Sequence, residues 1–363
     1  MNIVSSRTVR LSFSQIIENT TVCDQPEGPF LAPGFIDLQV NGFAGVDFNN
    51  PSTPREELVR SLAVLRSTGV TRFYPTMITG PPADMLAALR NLDGFGDGFH
   101  IEGPHISPED GPRGAHPRAW VRPPDFDEFR RWQDATGNRV RLVTLAPEWP
   151  DAPRYIERVA AEGVTVAIGH TQADSRQLAD AVAAGATLST HLGNGAHSIL
   201  QRHPNYIWDQ LAEDRLMADF IADGIHLDAA FLKVALRAKG IERAVLVTDA
   251  STPATAQPGR YRLGEQDIEL TPEGRVVLAG TDRLAGSALR MDRGIENLVR
   301  LTGISIVDAI AMATTNAARA GGIAGRTAGL VPGDIADFIL FDWDGTHLDI
   351  RETWVSGERV YRA

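Results

Sequence analysis

The chain has 363 residues, 43% of them hydrophobic and 22% charged, which is an ordinary globular composition. Its 46 Asp and Glu outweigh 35 Lys and Arg, and a formal net charge of −11 is a poor electrostatic match for nucleic acid or an anionic membrane surface, so neither is expected as a partner. The single cysteine, Cys23, excludes an internal disulfide framework and fits a reducing cytoplasm, while the absence of a signal-peptide pattern and of any run near the ~18 apolar residues of a membrane span argues against secreted and membrane classes.

A length above the ~100–200 residues of one typical core predicts one large domain with a small companion. Residues 1–31 are β-rich, and residues 8–13 alternate at strand period. Pro33-Gly34 breaks the chain, and a rhythm of apolar strand-like runs and helical stretches begins. Strands are predicted over residues 34–40, 72–78, 99–105, 141–146, 165–170, 187–191, 217–221 and 244–248. Helices are predicted over 53–68, 82–91, 152–162, 174–184 and 228–239. Proline and an acidic first turn open the first of these, and Gly185 and Gly240 stop the last two. Strands alternating with helices in this number predict an α/β fold, a closed parallel (β/α)8 barrel. Residues 258–280 break the rhythm and are expected to form a β-hairpin insertion. Helix returns over 287–321, with Ala-rich 307–320 packing on the barrel or in the core. From about residue 330 the chain is strand-like again. Residues 330–363 are expected to join 1–31 in a small β domain, leaving 32–329 as the barrel.

Barrels of this kind carry catalytic groups at the C-terminal ends of their strands. Here successive strand ends read Glu102-Gly103-Pro104-His105, Gly169-His170-Thr171, Thr190-His191, Asp223-Gly224-Ile225-His226 and Thr248-Asp249-Ala250. A lone strand-end histidine is more often a packed or surface residue, but random placement does not keep phase with the strands. Glu102, His170 and His191 make a plausible Zn²⁺ ligand set with an open fourth position. Neutral imidazoles and one carboxylate hold the ion, whose residual charge lowers the pKa of bound water. Fe²⁺, Mn²⁺ and Co²⁺ suit the same donors. The bland alternative is an ion-paired glutamate beside two hydrogen-bonded barrel histidines.

These segments occur in order with Pro33-Gly34-Phe35-Ile36-Asp37, His100-Ile101-Glu102-Gly103-Pro104, Gly286-Ser287 and a closing Gly329-Leu330-Val331-Pro332-Gly333-Asp334. From about Leu31 onward the chain resembles the N-acetylglucosamine-6-phosphate deacetylase family of the amidohydrolase superfamily. The resemblance implies a (β/α)8 barrel with a small β-sandwich built from both chain ends, and one divalent metal held by Glu102, His170 and His191. It implies deacetylation of N-acetylglucosamine 6-phosphate by a metal-activated water. Asp249 serves as general base toward that water, then as general acid toward an amine that leaves poorly unless protonated. Taken alone, Asp249 could equally be a helix N-cap. Gln39-Val40-Asn41 stands where many amidohydrolases carry His-x-His, and amides replace imidazole poorly on Zn²⁺, so a single metal is expected.

On the substrate side, the resemblance places the Asn194 side chain and the Gly195 backbone amide at the sugar phosphate. It places His226 at the sugar or phosphate and His116 near the substrate carbonyl. Arg202 matches an arginine that a neighbouring subunit contributes to the phosphate, which implies a homodimer; a guanidinium fork suits that dianion. Both Arg202 and His116 also have a plain reading as loop residues. His105, Gly193, His197 and Tyr206-Ile207-Trp208 depart from the family pattern and are expected to line the substrate side. They leave N-acetylgalactosamine 6-phosphate or an N-acyl amino acid as alternative substrates, and a non-catalytic barrel as the reading from another class.

Overall fold

Eight short segments dominated by β-branched and aliphatic side chains are buried on both faces, as strands of a parallel sheet must be when helices cover them. They are Phe35–Val40 (β1), Val70–Ile78 (β2), Phe99–Glu102 (β3), Val140–Leu145 (β4), Thr165–Ile168 (β5), Leu188–Ser189 (β6), Met217–Ile221 (β7) and Ala244–Val247 (β8). This computed structural model describes residues 8–23, 29–326 and 329–363, so residues 1–7 and 24–28 of the expected terminal segment lie outside the described residues. The strands pair in sequential order from β1 to β8. The ring closes where Asn41 donates its backbone N–H to the Ala250 carbonyl at 2.7 Å, beside a parallel bridge between Val40 and Ala250.

A helix follows every strand: Arg55–Arg66 (α1), Pro82–Asn91 (α2), Phe126–Thr136 (α3), Ala152–Ala161 (α4), Ser175–Ala184 (α5), Tyr206–Ala212 (α6), Ala229–Lys239 (α7) and Met291–Thr302 (α8). Their starts are written locally. Asp174 accepts from the Arg176 and Gln177 amides in a capping box, Asp228 caps α7, and Gly137 and Gly185 end α3 and α5 in the left-handed conformation. The helices α3 and α6 were not among the predicted elements. α3 is so rich in charge that its apolar stripe is thin, yet Phe129, Trp132, Gln133 and Thr136 share one buried face.

The barrel interior is filled by Ile36, Leu38, Tyr74, Leu142, Leu188 and Val245. The helix Thr315–Ala320 packs Ala317 and Ala318 into the same cluster, and Tyr74 donates its hydroxyl to the Gly321 carbonyl at 2.5 Å. The expected hairpin over 258–280 is a three-stranded antiparallel sheet, Gly259–Leu263, Gln266–Leu270 and Val276–Leu278. The third strand adds Val276 to an apolar cluster with Ile78, Leu263, Ile268, Leu270 and Ala285, which seats the insertion on the barrel rim.

Both chain ends meet beside the barrel. Phe30–Pro33 pairs with Phe338–Trp343 in a four-stranded antiparallel sheet completed by Leu348–Val355 and Glu358–Arg362. The hairpin of Thr8–Phe13 and Ile17–Cys23 lies against it, with the Phe13 ring centroid 4.9 Å from Phe338 and 5.4 Å from Trp354. A buried ion network ties this sheet to the barrel. Asp337 accepts from Arg72 at 2.5 and 3.0 Å and from Arg326 at 2.6 Å. Among the described residues no helix is long and apolar enough to cross a membrane.

Candidate active site

The strands β3, β5 and β6 end earlier than their apolar runs suggest, at Glu102, Ile168 and Ser189. Their functional residues therefore sit at the very tip or just beyond, where the backbone can turn inward. His170, His191 and Asp249 all have positive φ, at 51°, 29° and 49°. Side chains with a Cβ resist this region, and such outliers concentrate at functional sites. His191 is held there by its own N–H, which donates to the Asp219 carboxylate at 2.5 Å from the neighbouring strand β7.

The three residues expected to hold a metal converge on one carboxylate. His191 Nε2 lies 2.8 Å and His170 Nε2 3.3 Å from Glu102 Oε1. His116 Nε2 approaches the other oxygen, Oε2, at 3.9 Å. All four are buried. Donor atoms of Glu102, His116 and His170 lie within 4.8 Å of one another, a grouping that has His116 where His191 was expected, so His116 belongs to the cluster as well as to the cavity wall.

The proton arrangement identifies what this cluster accommodates. His170 Nδ1 lies 2.8 Å from the Pro112 carbonyl, which can only accept, so Nδ1 carries the hydrogen. In the neutral ring, Nε2 then presents a lone pair to a carboxylate oxygen. Either a proton on Nε2 or a cation between the two groups satisfies this 3.3 Å approach, and the donor set of two imidazoles and one carboxylate fits a divalent metal. The charges agree. Burial opposes ionisation of Glu102, yet the adjoining histidines hold its carboxyl well below the usual range. Burial likewise lowers His191, but the Glu102 carboxylate overrides it and pushes the imidazole up to about 9. His116 is driven down to about 3, by burial first and then by His170, so it is neutral at physiological pH.

Asp249 faces this cluster from β8. Gln39 Nε2 donates to Glu102 Oε1 at 2.7 Å and to Asp249 Oδ1 at 3.1 Å, and Asn41 Nδ2 donates to the same Oδ1 at 2.7 Å. The two amides thus put N–H groups between the carboxylates. Among the described residues Asp249 Oδ2 has no hydrogen-bond partner. Burial, and next the nearby Glu102 charge, raise the Asp249 carboxyl to about 6, close to the range where a group can both take and return a proton. Asp249 does not cap a helix.

A cavity of about 510 Å³ opens above these residues. It is lined by the expected His116, Asn194, Gly195 and His226 together with Glu102, His170, His191 and Asp249. Asn194 donates its side-chain amide to the His191 carbonyl at 3.2 Å, leaving its oxygen toward solvent or ligand. His226 is oriented by Asp223 at 2.6 Å. Glycine is required at position 195: φ is +54°, and a Cβ would come within 2.6 Å of His170 Nδ1. Arg202 is exposed and does not line the cavity of its own chain. A second cleft, of about 610 Å³ between the loops after β1 and β2 and the insertion, contains none of Glu102, His170, His191 and Asp249.

The departing residues divide. His105 does not face the substrate side: it is buried among the outer helices, with ring centroids 5.6 Å from Trp132 and 5.2 Å from Tyr155. Gly193 and His197 do line the cavity, but the space a side chain at Gly193 would enter is filled by Leu227 and Phe231 at 2.8 Å. No extra room opens there. Tyr206 and Trp208 belong to α6 and lie outside the cavity lining; Tyr206 instead holds His197, accepting from its backbone N–H at 2.8 Å.

Three further residues at this site were not singled out from the sequence. Thr79 lies 2.9 Å from His116 Nδ1 through its hydroxyl, Asp219 holds the turn at His191, and Arg283 reaches the cavity from the insertion. Thr79 follows the end of β2, so the strand-end rule could have found it. Nothing local marks the other two.

Comparison with known proteins agrees with the geometry. The profile of the Amidohydrolase family matches residues 30–360. The N-acetylglucosamine-6-phosphate deacetylase of Bacillus subtilis (strain 168) is 34% identical over 331 residues, covering 88% of this chain and 82% of that protein. The human enzyme of the same name is 37% identical over 356 residues, covering 93% and 84%. Among solved structures, a mutant of N-acetyl-D-glucosamine-6-phosphate deacetylase from Mycobacterium smegmatis, in complex with N-acetyl-D-glucosamine-6-phosphate, superposes with a TM-score of 0.88 at 32% identity, covering 96% of this chain and 93% of that one.

Proposed function

Because the chain belongs to the N-acetylglucosamine-6-phosphate deacetylase family of amidohydrolases, we propose that it hydrolyses the acetamide of N-acetylglucosamine 6-phosphate to glucosamine 6-phosphate and acetate. The observation that carries this reading is the pairing of Asp249, one oxygen held by two amides and the other unpartnered, with the carboxylate–histidine cluster of Glu102, His170 and His191. A divalent cation in that cluster, with Zn²⁺ the first choice and Fe²⁺, Mn²⁺ or Co²⁺ compatible, would polarise the substrate carbonyl and acidify water.

The chain's own residues have separate jobs. Asp249 Oδ2 takes a proton from the attacking water and returns it to the amine nitrogen as the C–N bond breaks. Gln39 and Asn41 keep that carboxylate aimed and occupy Oδ1, so the proton goes to Oδ2. His116 is neutral. With the Thr79 hydroxyl donating to Nδ1, its Nε2–H can donate to the carbonyl oxygen as negative charge grows there. His170 and His191 are fixed by Pro112 and by Asp219, which limits reorganisation during the reaction. Asn194, the Gly195 amide and His226, which line the same cavity, hold the sugar phosphate. The amide pair Gln39 and Asn41 in place of histidines supports one metal per chain. A homodimer whose partner supplies Arg202 and a cytoplasmic location complete the proposal.

The test is release of acetate from N-acetylglucosamine 6-phosphate by the metal-loaded protein and by Asp249→Asn. The substitution preserves shape and removes the base, so kcat falls by about 10²–10⁴ with metal content unchanged. Turnover by Asp249→Asn within a factor of about three of the parent removes Asp249 from the mechanism.

A further inference from the structure

We propose that Arg283, on the loop leaving the insertion, is a specificity-determining residue that binds the anionic group of the substrate from within the same chain. The inference rests on the deacetylase reading above and names the part of the site that selects a charged substrate over a neutral one.

The electrostatic problem comes first. The chain carries a net charge of −11, and the cavity already contains the carboxylates Glu102 and Asp249. A phosphate ester is therefore repelled by the overall field and needs a local permanent cation. Among the described residues lining the cavity, Arg283 is the one lysine or arginine. Histidines line it too, but His170 and His191 face Glu102, His226 is engaged with Asp223 at 2.6 Å, His197 with the Tyr206 hydroxyl at 2.9 Å and His116 with the Thr79 hydroxyl at 2.9 Å.

Arg283 is also free to act. Its backbone is pinned: its N–H donates to Thr281 Oγ1 at 3.2 Å, its carbonyl accepts from Leu278 at 2.8 Å, and its neighbour Leu284 bridges to Val277. The side chain makes one hydrogen bond, from Nη1 to the Gly114 carbonyl at 3.3 Å. A guanidinium has five N–H donors, so most remain available. No described carboxylate forms a close ion pair with Arg283, whose charge reaches only the exposed Asp110, itself paired with Arg113, whereas Arg262 in the same insertion lies 4.0 Å from Asp267. Gly114, the residue it touches, abuts the ring of His170. Arg283 thus hangs over the loop that flanks the reacting centre. A planar fork with unused donors is suited to two oxygens of one phosphate or carboxylate.

The experiment uses full-length, metal-loaded protein, comparing the parent with Arg283→Ala, Arg283→Lys and Arg202→Ala. Each is assayed for acetate release from N-acetylglucosamine 6-phosphate, N-acetylglucosamine and an N-acetyl amino acid. Arg283→Ala should raise KM for the phosphorylated sugar about tenfold to a hundredfold, with kcat within about twofold and the neutral sugar unaffected. Arg283→Lys keeps the charge but not the fork, and falls between the two. An unchanged ratio of KM values for phosphorylated and neutral sugar in Arg283→Ala overturns the inference while leaving the deacetylase reading standing. So does a collapse of that ratio in Arg202→Ala alone. If the parent turns over neither sugar but does cleave the N-acetyl amino acid, the proposed substrate is wrong, and the same KM criterion on that carboxylate decides the role of Arg283.

Discussion

Replacing Gly195 by alanine tests whether the wall around His170 holds this proposed metal ligand in place. The added Cβ meets His170 Nδ1 at 2.6 Å, where ordinary contacts begin near ~3.4 Å, so the ring or the loop must give by about 1 Å. The ring is tethered by its Nδ1–H to the Pro112 carbonyl at 2.8 Å. Moving it breaks that bond or shifts Nε2 from its place 3.3 Å from Glu102. A backbone cost adds to this, since φ is +54° and a left-handed alanine costs about 1–2 kcal/mol. Displaced ligands and lost outer-shell bonds cost metal sites about 10–100-fold in affinity. Gly195→Ala should therefore weaken metal binding by that factor, measured by chelator competition, with kcat falling in parallel at limiting metal. Gly274→Ala is the control: its φ is +83° but a Cβ there meets nothing within 4 Å. It should lose about 1–2 kcal/mol of stability and no metal affinity. Metal affinity in Gly195→Ala equal to that of the Gly274→Ala control would refute the claim that this wall positions His170.

Other outcomes follow from the same contacts. Asp337→Ala strands the Arg72 and Arg326 guanidinium groups without their shared carboxylate, and Arg326 is 1% exposed. Breaking a buried pair from one side costs about 3–5 kcal/mol, so Tm by calorimetry should fall by roughly 4–7 °C; a drop under about 2 °C would show that the network contributes little. Metal analysis after reconstitution should find about one tightly held ion per chain, since Gln39 and Asn41 offer amides where imidazoles would be needed for a second; two tightly held ions would contradict this. Gln39→Ala removes the donor shared by Glu102 and Asp249. It should lower kcat about tenfold or more with KM changing less than threefold, and restoration by Asn at the same position is expected to be partial because the shorter amide cannot reach both carboxylates.

Much of the site was legible because barrel catalysis has a one-dimensional signature. Residues that must face the mouth of the barrel follow the end of an apolar run, so Glu102, His170, His191 and Asp249 stand out at the strand ends even before the strands are seen. Where the signature is absent, reading failed in identifiable ways. α3 hides a buried face inside a charged segment, because its contacts are with other helices and leave only a thin apolar stripe. His105 also follows a strand end, yet three residues past Glu102 the chain has turned, and its ring packs against Trp132 and Tyr155. Position relative to a strand end states proximity to the mouth, not the direction in which a side chain points.

What the sequence determined by itself was the alternation of elements, the caps that start and stop the helices, and the set of residue types available at the strand ends. Those are local properties, carried by period, by capping side chains and by glycine at left-handed turns. What only the tertiary structure decided was which of these groups share a boundary. The meeting of Gln39 with Asp249 spans 210 positions, that of Arg283 with Gly114 spans 169, and that of Arg326 with the Gly34 carbonyl spans 292. No local pattern encodes them, because each depends on how closure of the barrel brings β8 against β1 and seats the insertion over the loop after β3.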